Sequence, residues 1–388
     1  MTRIQQLQGA LEELGLDALF LRLPENVVLA TGWWPQIPGL AIVVVPREGA
    51  AALLIPEYEV PEADTVWAGD IRSFPAIRND GPGPATEIPR LLGHLCTEHG
   101  LAGAAIGYEG SFEAVAPPQI DGEPGTVAGP TIALIRSAFA TERLVDVTQT
   151  LETLKATKTA AEVEKIRITN EVARFGLDAF KEYAVAGATE AEIAAEVGKA
   201  IVAKGHGHRG ARVVRAYPTV WSGPETAHGW QYFRHRTRVV EADDVVMLEL
   251  GTCVDGFWSD HTRTVVAGKA TARQREAMAA VRAAQRAAFA AARPGVAGGE
   301  VDRISRAAVA AAGFTQFPHH TGHGIGFRYH EAMPWLVPEG EHMLTEGTTL
   351  ITEPGIYEDG LGGFRWEDNA VVTPDGAVTL VETDYELD

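Results

Sequence analysis

Residues 245–266 read VVMLELGTCVDGFWSDHTRTVV, and two acids in that stretch, Glu249 and Asp260, sit among neighbours that ask to be buried. The aliphatic and aromatic density of Val245–Leu250 and Phe257–Val266 predicts two strands. Gly251 and Asp255-Gly256 supply the turn chemistry of an antiparallel hairpin. The same plan returns later: strands around Thr349–Glu353 and Phe364–Val372 carry Glu353 and Glu367 beside Leu350-Ile351, Phe364 and Trp366. Carboxylates gathered on buried strands repel one another and lose hydration, so something must compensate them.

Helices precede each hairpin. From Thr159 onward the pattern is helical, and Thr189 with Glu192 forms a capping box ahead of Ile193, Val197 and Ile201, with Gly205 as the stop. Thr271 and Gln274 cap an Ala-rich helix expected to end at Arg293, and another is expected from Glu300 to Ala312. Two helix–helix–hairpin halves predict an internally duplicated α+β domain over residues 151–388, with its site between the halves. Residues 1–150 instead alternate helical segments with short aliphatic runs such as Ala18–Leu21, Leu40–Val45, Ala51–Ile55 and Ala104–Tyr108, which predicts an α/β domain. Pro82–Pro89 and Pro117–Pro130 are expected to be loops, and Val145–Thr157 a connector.

The chemistry concentrates in the second domain. His323 lies in Gly322-His323-Gly324-Ile325-Gly326, and with Glu249, Asp260, Glu353 and Glu367 it makes five candidate metal ligands. One imidazole with several carboxylates suits Mn²⁺, Co²⁺ or Zn²⁺, and shared carboxylates can bridge two ions in a hydrolase. The alternative pairs Asp260 with Arg263 and Glu367 with Arg365. It serves one hairpin, but not both together with a glycine-framed histidine.

These residues carry a resemblance. Glu249-Leu250-Gly251, Ser259 to Thr264, Thr321 to Gly326 with His330-Glu331, Thr352 to Tyr357, and Arg365-Trp366-Glu367-Asp368 resemble, in order and spacing, the pita-bread metallopeptidases. That family includes aminopeptidase P, prolidase and methionine aminopeptidase, with creatinase as a metal-free relative. Ser222-Gly223-Pro224 with His228, Leu154-Lys155 to Ile166-Arg167, and Pro24-Glu25-Asn26 to Gly32 extend the likeness to the two-domain branch, with a creatinase-type amino-terminal domain. The resemblance implies one or two divalent ions, Mn²⁺ foremost, with Asp260 and Glu367 bridging, His323 and Glu353 completing one site and Glu249 holding the other. It implies catalytic roles for His228, His330 and Glu353. His228, His330 and Arg365 would meet the substrate, and Arg365 would alternatively orient Glu367.

Two departures bear on the expectation. Family peptidases carry Asp where this chain has Glu249, so the second metal site is expected to be the weaker. His330-Glu331-Ala332-Met333-Pro334 is one residue longer before its proline than the usual pattern, which reshapes one pocket wall. The function expected is hydrolysis of the bond before proline in small peptides, by an aminopeptidase or a dipeptidase. The alternatives are a creatinase- or ectoine-hydrolase-like enzyme for a small non-peptide C–N substrate, and a non-catalytic binding module.

Composition sets outer bounds. The chain of 388 residues is 46% hydrophobic and 22% charged, ordinary for a globular protein. Its 33 Lys and Arg against 52 Asp and Glu give −19, a field that repels nucleic acid and anionic membrane. Two cysteines, Cys96 and Cys253, define no disulfide framework and fit a cytoplasmic setting, and no signal peptide or spanning segment is expected. His206-Gly207-His208 reads as a solvated loop, and His94 and His99 as surface residues. The glycines around His323 lack the strand–helix frame of a dinucleotide site. Trp33-Trp34 reads as core or interface, and with the resemblance it points to a homodimer.

Overall fold

The computed structural model describes residues 2–37, 39–77, 81–110, 129–230, 235–383 and 387. The chain divides into two compact units, Met1–Lys155 and Ala156–Asp388.

The first unit is α/β. Its strands are β1 (Ala18–Leu21), β2 (Ile42–Pro46), β3 (Ala52–Pro56), β4 (Asp70–Phe74), β5 (Ile106–Tyr108) and β6 (Leu144–Asp146). They form one mixed sheet in the order β4-β3-β2-β1-β5-β6. Its helices are α1 (Arg3–Leu14), α2 (Pro24–Thr31), the short α3 (Val60–Ala63), α4 (Pro84–Glu98), α5 (Gly129–Phe139) and α6 (Thr148–Ala156). Two loop expectations change here. Pro84 opens α4 at a position whose N–H would be unpaired anyway, and burial of Ile88, Leu91, Leu92 and Leu95 outweighs the bond lost at Pro89. Val145–Thr157 is a strand end followed by α6 rather than a bare connector. Of Pro117–Pro130, residues 117–128 lie outside the described residues, and Pro130 begins α5 with Gly129.

The second unit pairs helices against sheets twice. Helices α7 (Ala160–Tyr183) and α8 (Glu190–Gly205) bury Val172, Leu177, Phe180, Ile193, Val197 and Ile201 against β7 (Val214–Ser222), β8 (Val245–Val254) and β9 (Phe257–Val266). Helices α9 (Ala272–Ala291) and α10 (Gly298–Ala311) cover the other half. That half holds β10 (Gly322–Gly324), β11 (Glu331–Leu336), β12 (Thr349–Thr352), β13 (Gly355–Glu358), β14 (Gly362–Arg365), β15 (Asp368–Thr373) and β16 (Gly376–Thr379). The capping boxes at Thr159, Thr189 and Thr271 form, each hydroxyl accepting the backbone N–H three residues on. Gly205 is the last residue of α8, and α9 stops at Ala291, two residues short of Arg293.

Gly251 does not turn the chain. Strand β8 runs on to Val254, and Asp255 and Gly256 alone make the turn, with φ of 49° and 85°. The longer ladder sets the geometry of the site: Glu249 pairs with Thr262 and Gly251 with Asp260, so Glu249 and Asp260 are diagonal neighbours on one face. In the other half, Thr352 pairs with Asp368, and Glu353 and Glu367 come one residue beyond that rung.

Candidate metal centre

His323 sits on the three-residue strand β10, pressed between β11 and β12. Its flanking glycines have a steric cause: a Cβ on Gly322 would meet the Ile351 carbonyl oxygen at 2.1 Å, and one on Gly324 the Met333 carbonyl oxygen at 2.2 Å. His323 therefore enters a space that only glycine neighbours permit. Its Nδ1 is 2.8 Å from the Gly324 carbonyl oxygen and must carry the proton to bond there, which leaves Nε2 as a bare acceptor.

Ligand atoms of Asp260, His323 and Glu367 all lie within 4.8 Å of one another, and all three side chains are buried. His323 Nε2 is 3.6 Å from Asp260 Oδ2 and 3.9 Å from Glu353 Oε1. Two buried atoms of the group, His323 Nε2 and Glu367 Oε1, have no hydrogen-bond partner. Orphaned buried acceptors on an imidazole and a carboxylate fit a divalent cation, which takes up lone pairs where a protein donor is lacking. Burial, then mutual repulsion with Glu367, Glu249 and Glu353, pushes Asp260 well above the usual carboxylate range. Glu367 rises by burial and by Glu353 and Glu249. Burial and the neighbouring His320 push His323 down to about 4.

Among the described residues neither acid finds an arginine. Arg263 binds Asp368 at 2.5 Å and stacks over Trp366, 4.0 Å from the ring centre, while Arg365 pairs with Glu249. The pairing alternative read from sequence therefore leaves Asp260 and Glu367 without a guanidinium, so the compensation they need comes from elsewhere.

Glu249 is held differently. Its Oε1 accepts from the Tyr329 hydroxyl at 2.8 Å, and its Oε2 from Thr262 Oγ1 at 2.8 Å and from the Arg365 guanidinium. Tyr329 also lies 2.8 Å from Asp260 Oδ1, and Thr262 lies 2.7 Å from Glu367 Oε2. Arg365 reaches Thr262 through Nε at 2.8 Å and Tyr357 through NH1 at 3.1 Å, so it meets Glu367 only through Thr262.

Glu353 lies beside His320, whose Nε2 is 2.7 Å from Oε1. Burial raises its pKa, but His320, His319 and Arg365 outweigh that and keep it ionised well below the usual range. The His330 ring centre is 4.0 Å from that of His323, and its buried Nδ1 has no hydrogen-bond partner. His320, His323 and His330 form a second grouping close enough to share an ion. The carboxylate-bearing group can supply negative charge to a divalent cation and the three imidazoles cannot, so the former is the better seat for one.

His228 is not part of the buried cluster. It ends the short helical turn Gly223–His228, its side chain is 54% exposed, and Nε2 lies 3.5 Å from Asp359. His206 and His208 keep to the surface, bonded to Arg212 and Glu171. Trp33 is fully buried in the first unit and Trp34 half-buried. The extra residue after His330 is absorbed where Gly324 pairs with Glu331 rather than with Pro334, so residues 332–334 bulge from the ladder. Sequence reading passed over Thr262, His320 and Tyr329. Each is adjacent or nearly so to a motif residue.

Comparison with known proteins agrees with this geometry. Residues 164–374 match the profile of metallopeptidase family M24, and residues 3–157 that of the creatinase/prolidase N-terminal domain. A probable dipeptidase PepE of Mycobacterium tuberculosis is 32% identical over 90% of this chain and 85% of its own. An Xaa-Pro dipeptidase of Pyrococcus furiosus is 29% identical over 99% of both. The solved Xaa-Pro dipeptidase of Bacillus anthracis superposes with a TM-score of 0.80 at 24% identity over 99% of this chain and 98% of that one, a likeness of fold.

Proposed function

Since this chain belongs to metallopeptidase family M24, we propose that it hydrolyses the bond before proline in small peptides, as an Xaa-Pro dipeptidase or aminopeptidase. It is a hydrolase with the two-domain pita-bread fold, and the family implies divalent metal ions. One observation carries the reading: the buried Asp260–His323–Glu367 group with two orphaned ligand atoms. The likeness to the Xaa-Pro dipeptidase of Pyrococcus furiosus supports the Xaa-Pro specificity.

One or two divalent ions, Mn²⁺ before Co²⁺ or Zn²⁺, would be held by Asp260, His323 and Glu367, with Glu353 and Glu249 beside them. The chemistry such an ion supplies is activation of water and polarisation of the scissile carbonyl. Glu353 would take the proton from the attacking water and return it to the leaving nitrogen; its place beside His323, 3.9 Å from Nε2, supports the role. His330 donates to the developing oxyanion, a role supported by its packing on His323. Arg365 holds the site's shape, and His228, at the exposed rim, meets the incoming substrate.

The enzyme acts as a homodimer in the cytoplasm. Two buried free thiols, Cys96 and Cys253, favour a reducing compartment. Among the described residues no helix is long and apolar enough to cross a membrane. Trp34, rather than the buried Trp33, is the aromatic left for a partner copy, and sedimentation of the purified chain tests the assembly.

The test of function is a screen. Protein stripped with chelator and reloaded with Mn²⁺ is offered Xaa-Pro dipeptides, Xaa-Pro tripeptides, creatine and ectoine. Hydrolysis of the Xaa-Pro peptides alone is expected. Turnover of creatine or ectoine without any peptide would replace this reading with the non-peptide one.

A further inference from the structure

We infer that the chain binds one divalent ion, not two, and that Arg365, Glu249 and Tyr329 together fill the place of a second. The inference rests on the metal-dependent reading above and concerns only how many ions that site takes.

Both carboxylate oxygens of Glu249 are already engaged, one by Tyr329 and the other by Thr262 and Arg365. A metal ligand must offer a free lone pair toward the ion, and Glu249 offers its best ones to protein donors. His323 Nε2 and Glu367 Oε1 are buried and unengaged. The two sides of the cluster thus differ: Glu249 Oε2 takes two donors and Oε1 lies against the Tyr329 hydroxyl, whereas His323 Nε2 and Glu367 Oε1 have none.

Space agrees with this. The Tyr329 hydroxyl lies 2.8 Å from Glu249 Oε1 and 2.8 Å from Asp260 Oδ1. An ion bonded to both of those oxygens would need distances of about 2.0–2.2 Å to each, and the phenol would have to leave. Tyr329 is held there: its ring packs against Trp258 and His330, with centres 5.9 Å and 4.6 Å away.

Charge agrees as well. The guanidinium of Arg365 is buried, permanently cationic and paired with Glu249, so it cancels that acid. Asp260 and Glu367 remain without an arginine, and their two charges equal those of one divalent ion. The longer reach of Glu249 compared with Asp gives it the length to meet Arg365 and Tyr329 at once.

The experiment counts ions. Metal-stripped protein is titrated with Mn²⁺ and bound metal is measured by elemental analysis after gel filtration. One ion per chain is expected; two would overturn the inference and leave the peptidase reading intact. No bound ion would overturn both. Glu249→Gln should keep its one ion with affinity within about threefold, whereas Glu367→Gln should lose at least about 100-fold. A folded Glu249→Gln chain that loses its ion overturns the inference. If that variant fails to fold, Co²⁺ loaded to saturation into the unmodified chain decides: a magnetically isolated high-spin signal supports one site, and a coupled pair refutes it.

Discussion

Lys158 and Glu331 form an ion pair in which neither side chain is more than 1% exposed. Glu331 follows His330 directly and also accepts the Phe327 N–H at 2.7 Å, so the pair fixes the segment that carries His330 to the start of α7. Removing one partner strands a buried charge. Lys158→Met or Glu331→Gln should each lower unfolding free energy by about 3–5 kcal/mol, read from the urea midpoint at unchanged m-value. A loss below about 1 kcal/mol would mean that the pair is worth no more than a surface one.

Removal of metal is the next measurement. Chelation should abolish turnover and Mn²⁺ or Co²⁺ should restore it, because Asp260 and Glu367 have no protein cation to meet them. In the reloaded enzyme Glu353→Ala should lose about 10²–10⁴-fold in kcat with its metal kept. His323→Ala should lose the metal itself. Normal rates in either variant would remove these residues from the site.

Metal binding should also move protons. Burial and mutual repulsion make Asp260 and Glu367 hold protons more tightly than ordinary carboxylates, and an ion displaces those protons. His323, pushed down to about 4, is already neutral near pH 6 and contributes none. Affinity for Mn²⁺ should therefore rise with pH above the usual carboxylate range, with protons released on ion binding. Calorimetric titration at one pH in two buffers of different ionisation heat counts them. A pH-flat affinity with no release would show both acids already ionised.

Gly322 offers a steric test. In Gly322→Ala the new methyl must displace the Ile351 carbonyl, which is backbone in the neighbouring strand. Strain of about 1–3 kcal/mol is expected, together with weaker Mn²⁺ binding, because His323 moves with β10. Unchanged thermal unfolding and metal affinity would show that β10 shifts freely.

How much of this could be read from the chain depends on what each residue answers to. Thr189 and Thr271 act through neighbours three residues away, and both caps form as expected. The first hairpin was legible from its apolar runs and the Asp255-Gly256 turn; the second was not, because Phe364–Val372 divides into β14 and β15, which pair in different sheets with the β13–β14 hairpin between β12 and β15. Gly251 misled, since a glycine inside a buried strand and a glycine in a turn look alike until pairing fixes the register. Pro84 misled for the opposite reason: a proline in a first helical turn is compatible with the helix it was taken to prevent. In the site, the ligand types at Asp260, His323 and Glu367 were legible by chemistry. The partner of Arg365 was not, because Glu249 lies 116 positions away and only the packing of the two halves brings it there.

Asn369 joins those halves in a way that reaches beyond the site. Its side-chain oxygen accepts the Asp260 N–H at 3.1 Å and its nitrogen donates to the Asp260 carbonyl at 2.6 Å. One amide side chain thus imitates a rung between two sheets that otherwise belong to different ladders. Mechanically this is a rivet between the two sheets, set into the backbone of Asp260, a residue of the buried carboxylate group. A jaw riveted at its hinge line does not gape there. Any give between the two sheets therefore falls to parts of the unit without such a tie, such as the exposed His228 and Asp359.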